Sequence, residues 1–522
     1  MIRLLILLAL LPVCSLAQSP DLILMNGKIF TADSTARYVE ALAIKGDKIL
    51  TVGSNQTIKK LADLNTKQID LKGKTVVPGF NDAHDHLGWL IPIGQSLTVS
   101  QQELAKKGLL DTLAKLAKQA TPGQWIQGTI GITVFLDTTI RRRSLDSLAP
   151  NNPLVLQVPW GHGMIVNTQV LKAIHVSDTA ADPLGGWYER VKGTRFLSGA
   201  LYEYAQYPVW PAVVMSEPLT LVKALKMHAR EQLAFGITTV QNMSSTLQGE
   251  AARQIFKQAA LPLRTRIIAM PSMSAKGRNL AEWAGKDSLL TPLTYVSGIK
   301  YVMDGTPIEQ TALMSKPYAI RSRMAWYGRL NFPLDTIRQI LKEALVSNRQ
   351  LMMHCVGDST TKLILGLMKE LASADQWGRK RVRIEHGTGI LTASTAQLIK
   401  ELGIVVVHTP QYGLGNPIRT WFQMGIPIAI GPDALINPYF NIQLMTTQQA
   451  NPVENITREQ AVMAYSVGSA YAEFAERYKG TLMPGKLADL VVLSQDIFTI
   501  PAQQLPTTRS VMTLLGGKVV YP

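Results

Sequence analysis

Apolar positions in the second half of the chain alternate between a helical and a strand period. After Asp335, which can cap a helix, Ile337, Ile340, Leu341, Ala344 and Leu345 recur at the spacing that puts one apolar stripe on a helix. QLMMHCV (350–356) then gives a short apolar run of strand length. Leu363, Ile364, Leu367, Met368 and Leu371 return to helical spacing, and RVRIEH (381–386) is strand-like again. TASTAQLIKELG, the strand-like IVVVHTP (404–410) and IPIAIGPD (426–433) continue the alternation. Upstream, LVKALKMHAREQLAFG before ITTVQNM, and then YVSGIKYVMDG, fit the same scheme. Strand and helix in turn predict parallel βα units, with enough of them to close a (β/α)8 barrel.

The two ends of the chain read differently. DLILMNGKIFTAD, ALAIKGDKILTVGS and QIDLKGKTVV are short strands punctuated by Asn-Gly, Gly-Asp and Lys-Gly-Lys turns, and ADLVVLSQD and SVMTLLGGKVVYP repeat the style near the C-terminus. Pairing of these ends predicts one composite β-sandwich domain from 18–77 and 480–522, beside a barrel of 78–94 and 217–479. Residues 95–216 break the rhythm and read as an insertion after the first barrel strand. Within it, Ser100 and Glu103 form a capping box before Leu109, Leu113 and Leu116. The fold class expected is therefore α/β, a TIM barrel with a small β-sandwich and an insertion.

Residues 1–17 stand apart. Arg3, the apolar run Leu4–Ala17, and the small residues Ser15 and Ala17 before Gln18 are the pattern of a secretory signal peptide. The run is fourteen residues, short of the ~20 that span a bilayer. Lipidation at Cys14 is disfavoured by the bulk of Val13. Export to a bacterial periplasm is expected, with no membrane segment after cleavage. Loss of Arg3 takes the formal charge from +16 to +15. The basic residues are scattered, which reads as a solvated surface and not as a nucleic-acid site. Cys355 alone would remain, so no intrachain disulfide is available.

The chemistry begins at PGFNDAHDH (78–86). On an extended strand Asp82, His84 and His86 share a face, and two imidazoles about 7 Å apart along the backbone can converge on one metal ion. His354 ends QLMMH, His386 ends RVRIEH and Asp433 ends IPIAIGPD. These are scattered in the chain, but the C-terminal strand ends of a closed barrel ring one cavity. His162, from the insertion, and His408, at another strand end, are candidate substrate groups. So is Asp304, four positions from Lys300 on the same strand. His175 and His228 fall in helix-like stretches and read as ordinary. Cys355, on the strand face opposite His354, reads as packing.

PGFNDAHDH, GIKYVMDG, MMHCVGD, RVRIEHG, IAIGPDA and GTLMPGKLADLVVL together resemble the amidohydrolase superfamily. GHGMIVNTQVL, DPLGGW and SGALYEYA narrow the resemblance to its family-3 branch, which includes N-substituted formamide deformylases. The resemblance covers almost all of the chain beyond residue 17. It implies a metal site with His84, His86, Lys300, His354, His386 and Asp433 as ligands. Lys300 would be carboxylated to bridge two ions, whereas an ordinary lysine there leaves one. Zn fits mixed imidazole and carboxylate ligation, with Mn or Fe as alternatives. A metal-activated hydroxide would attack a carbonyl carbon, with Asp433 as acid and base, and hydrolyse a non-peptide C–N bond in an amide, formamide or cyclic amide. Esterase, lactonase or phosphotriesterase chemistry on the same site is one alternative, and an exported binding or regulatory protein without catalysis is another. The partner is a small-molecule substrate, and neither its identity nor assembly as a homo-oligomer is legible. Asn242 in VQNMSS, where related chains often carry aspartate, and Pro432 in GPD, where serine is frequent, depart from the pattern.

Overall fold

The architecture comes from a computed structural model that describes residues 19–89, 91–97, 106–285, 288–318, 325–433 and 437–522. The leader expected at 1–17 and the capping pair Ser100 and Glu103 lie outside the described residues.

Eight parallel strands form the centre: β1 (Phe80–Asp85), β2 (Ile237–Met243), β3 (Arg264–Ala269), β4 (Thr294–Val302), β5 (Leu351–His354), β6 (Arg383–His386), β7 (Val405–His408) and β8 (Ile428–Ile430). Each pairs with the next in sequence, from β1 with β2 through to β7 with β8. The ring is nearly closed: past the end of β8, the Asp433 N–H donates to the His84 carbonyl at 3.1 Å. Gly431 permits this approach, because a Cβ there would stand 2.2 Å from Cβ of His84.

Most connections carry the helix that the apolar period predicts. In Leu334–Val346, Ile337, Ile340, Leu341 and Ala344 are buried against the ring, as their spacing requires. Asp335 is not its cap. Pro333 takes that position without a side-chain bond, and Asp335 lies in the first turn, where a negative charge suits the helix dipole. Between β3 and β4 a hairpin, Ser272–Ser274 with Gly277–Asn279, replaces a helix.

Both ends of the chain meet in a two-sheet unit. One sheet orders Lys48–Gly53, Ala41–Lys45, Leu22–Met25 and Lys67–Asp70. In the other, Leu490–Leu493 pairs antiparallel with Thr75–Pro78, so the C-terminal segment is built into the N-terminal one. Leu24, Leu42 and Ile44 pack with Val76, Leu490 and Leu514 between the sheets. The arrhythmic stretch after β1 makes a six-stranded mixed sheet of its own, from Gln95–Leu97 to Leu197–Glu203, with a separate apolar core.

The barrel and the terminal unit are joined by charge as well as by packing. Arg264, at the start of β3, grips Asp489 through two bonds of 2.6 and 3.0 Å, and the Gly516 N–H adds a third at 2.7 Å. Arg264 is 17% exposed and Asp489 5%. Removing one partner leaves the other buried and uncompensated, so Asp489→Ala should lower stability by about 3 kcal/mol in a urea unfolding titration. Adding Arg264→Ala to that variant should recover part of the loss. Independent, additive effects would show that the pair does not join the two units.

Candidate active site

β1 is buried along its whole length, and its residues divide the work. His84 turns its ring into the barrel, where Nδ1 lies 2.6 Å from Oε2 of Glu385. A carboxylate only accepts, so Nδ1 carries the proton and the lone pair of Nε2 faces the cavity. His86, one residue past the strand, shares a 2.8 Å bond between Nδ1 and Oγ of Ser245. The two Nε2 atoms are 3.4 Å apart. Asp82 does not join them: its carboxylate accepts the backbone N–H of His84 at 2.9 Å.

Asp433 meets this pair from the other side of the ring closure. Its Oδ1 is 3.4 Å from Nε2 of His84 and 3.3 Å from Nε2 of His86. Burial pushes its carboxyl up, but the imidazoles of His84 and His86 beside it, and the Lys300 ammonium, outweigh this and hold it below the ordinary value. Oδ1 is buried yet takes no hydrogen bond. Lys300, 1% exposed in β4, reaches His84 Nε2 at 3.0 Å, and burial lowers its ammonium to about 8.

His354 and His386 complete the ring of imidazoles. Nδ1 of His354 is 2.9 Å from Nε2 of His386, whose own Nδ1 lies 3.0 Å from Thr409 Oγ1 and 4.0 Å from Asp433 Oδ2. Burial, and then neighbouring positive groups, keep His84, His354 and His386 well below the ordinary imidazole value and therefore neutral. His386 and Asp433 both hold left-handed backbone, φ 71° and 58°, in a region that costs a non-glycine residue about 1–2 kcal/mol. Donor atoms of His84, His386 and Asp433 lie within 4.8 Å of one another, an arrangement that could hold a metal ion. Neutral imidazoles, an ionised carboxylate and its orphaned oxygen are the donor set a divalent cation requires.

The other sequence candidates separate. His162 leaves the insertion sheet to stand over the site, its ring centroid 4.8 Å from that of His354. Its Nδ1 lies 3.0 Å from Oε2 of Glu203. Burial lowers its pKa, but the charge and bond of Glu203 outweigh this and raise it to about 9. Asp304 is not a cavity group. Its carboxylate is consumed by the N–H groups of Leu313, Val356 and Gly357 and the hydroxyl of Thr360, at 2.7 to 3.2 Å, and so fixes the loop after β5. His408 also turns away from the cavity. It packs edge-on to Trp421 at 6.1 Å, its Nδ1 takes no bond, and burial lowers its pKa to about 4. His228 bonds Asp85 at 3.4 Å beneath the site, His175 is exposed, and Cys355 is a buried free thiol. Asn242 accepts the Leu87 N–H at 2.7 Å and so steadies the loop after His86, while the Pro432 carbonyl accepts from Gln411 at 2.9 Å.

Glu385, Arg383 and Glu203 are site residues that pattern reading missed. A signal existed for the first two: Arg383 and Glu385 alternate within a short apolar strand, where buried charges must be paired.

Two chambers flank the imidazoles. One, a narrow space of about 40 Å³, is walled by Trp89, Tyr207, Trp210 and Met270. The other, of about 390 Å³, is walled by Pro307, Ile308, Met314, Val356 and Tyr412. Trp160, His162, His354, His386 and Asp433 belong to both.

A sequence profile described as the amidohydrolase family matches residues 67–521. The chain is 27% identical to Protein LONG AFTER FAR-RED 3 of Arabidopsis thaliana, over 96% of this chain and 92% of that one. It is 23% identical to an N-substituted formamide deformylase of Arthrobacter pascens, over 97% and 99%. An uncharacterized metal-dependent hydrolase of Pyrococcus furiosus shares the fold with a TM-score of 0.68 at 20% identity, over 92% of this chain and all of that one. With the profile running through the barrel strands, the insertion and the C-terminal sheet, the chain belongs to the amidohydrolase family.

Proposed function

We propose that this protein is an exported metal-dependent hydrolase that opens a non-peptide C–N bond in an amide, formamide or cyclic amide. The observation that carries the reading is the convergence at the C-terminal mouth of the barrel of His84 and His86 on Oδ1 of Asp433 and of His386 on its Oδ2, with Lys300 against the His84 ring. These residues, with His354, would hold the metal, and Zn suits them best, with Mn or Fe as alternatives. A lysine near pKa 8 in a site this enclosed has enough neutral amine to take up CO2, and the resulting carbamate would add an anionic ligand for a second ion. Bound there, the metal would activate a water and polarise the carbonyl it attacks.

The remaining work belongs to the chain. Asp433 accepts the proton of the attacking water and delivers it to the departing nitrogen, so amine and carboxylic acid leave with the proton balance closed. Its unoccupied oxygen suits that task. Glu203 ties down one nitrogen of His162, leaving the other to orient the substrate between the chambers. The apolar walls of the larger chamber accept a substituent on one side of the bond and displace water from it, while the narrow chamber suits a small group on the other. The deformylase of Arthrobacter pascens, whose name states N-substituted formamides as its substrates, supports this choice of bond. The exported location rests on the pattern of residues 1–17.

Asp433→Asn should cut kcat by 10²–10⁴-fold, in keeping with loss of a general acid–base group, while metal analysis still finds much of the ion bound. Full activity in that variant would remove the mechanism. Dialysis against a chelator should abolish hydrolysis and lower the thermal midpoint, and added Zn²⁺ should restore both. Turnover of esters or lactones by the restored protein, with N-substituted amides untouched, would assign a different bond.

A further inference from the structure

Layers of Val, Ile and Leu usually fill the bore of a (β/α)8 barrel. Here the bore holds Asn81, Gln241, Arg266, Arg383 and Glu385, all buried. Arg383 is 0% exposed and its donors are distributed with a clear bias. Nε and Nη2 form a fork onto the two oxygens of Glu385 at 2.8 and 2.9 Å. Nη2 also donates to the carbonyl of Ala83 at 2.6 Å, and Nη1 to Oε1 of Gln241 at 2.6 Å. Strands β6 and β1 are not neighbours, since β7 and β8 stand between them. One guanidinium thus crosses the bore to hold both the carboxylate bonded to the His84 ring and the backbone immediately before His84.

We propose that Arg383 is a positioning residue of the active site, acting through Glu385 and Ala83 to fix the orientation and tautomer of His84. The inference rests on the reading of His84 as a metal ligand. A buried guanidinium is expensive unless paired, and a barrel that only needed filling would be served by apolar side chains. The planar fork explains why arginine stands here: a lysine could balance the charge of Glu385 but could not span both its oxygens and the Ala83 carbonyl. The backbone N–H of His84 is already committed to Asp82 at 2.9 Å, so ring, preceding carbonyl and amide are all restrained.

Arg266 provides the control. It is equally interior, at 2% exposure, and bonds Ser297, Gln241 and Gln350 at 2.9, 3.3 and 3.0 Å, with neither His84 nor Glu385 among these partners. The test compares Arg383→Lys, Glu385→Gln and Arg266→Lys in the full chain. Co²⁺ affinity is read by chelator competition, the Co²⁺ absorption spectrum reports ligand geometry, and thermal midpoints report stability. Arg383→Lys and Glu385→Gln should weaken Co²⁺ binding by about 10–100-fold and alter the spectrum. Arg266→Lys should keep wild-type affinity and spectrum even where its midpoint falls as far. The proposal is overturned when the first two variants bind Co²⁺ as the wild type does, or when Arg266→Lys loses as much affinity. Should Arg383→Lys fail to fold, the nearly isosteric Glu385→Gln decides against the same control. A wild-type chain that takes up no Co²⁺ would sink the metal-site reading itself, which keeps the two failures distinct.

Discussion

Where the last barrel strand returns to the first, there is no room for a side chain: a Cβ on Gly431 would overlap that of His84. This closure does more than complete a ring. It hands the N–H of Asp433 to the carbonyl of His84 and places a carboxylate against two imidazoles that lie about 350 residues earlier in the chain. Asp433, at this closure, and His386, at the end of β6, both take left-handed backbone where the chain turns out of the barrel. Packing of the surrounding ring holds that strain at two of the residues that line the site.

Electrostatics then divides the interior into layers. At the mouth His84, His354 and His386 are held uncharged by burial and by neighbouring positive groups, Asp433 stays ionised, and Glu203 favours the charged form of His162 above them. Below them Arg383 and Glu385 form a fully buried pair whose worth lies less in net stability than in the orientation it imposes on the histidine above. Deeper still, Gln241 bonds Asn81, and Asn81 bonds Glu473, which also takes Lys479 and Tyr295. Polar contacts therefore run continuously from the floor of the barrel to its mouth.

The insertion supplies what the barrel lacks. His162 rides on a sheet with its own core and is brought over His354, while Trp160 beside it helps to wall both chambers. A separately packed sheet can vary its loops without disturbing the metal-facing strands, which is how one barrel can present different substrates to the same groups.

Much of this was legible in the order of residues. Period-2 and period-3.6 patterning gave the barrel units, because burial of one face imposes its period on the sequence. His84, His86, His354 and His386 were recognisable because strand ends in a closed ring face one space. What the order could not give was the direction of individual side chains. Asp304 and His408 also end strands, yet one is claimed by amides of the loop after β5 and the other turns towards Trp421. The spacing of Arg383 and Glu385 in an apolar strand says that both are paired, but only the bore brings Glu385 to His84. Periodicity is a local property written by burial. The partner of a buried polar atom is chosen across the ring, by whichever distant donor or acceptor the closed fold brings within 3 Å, and only the tertiary structure decides that.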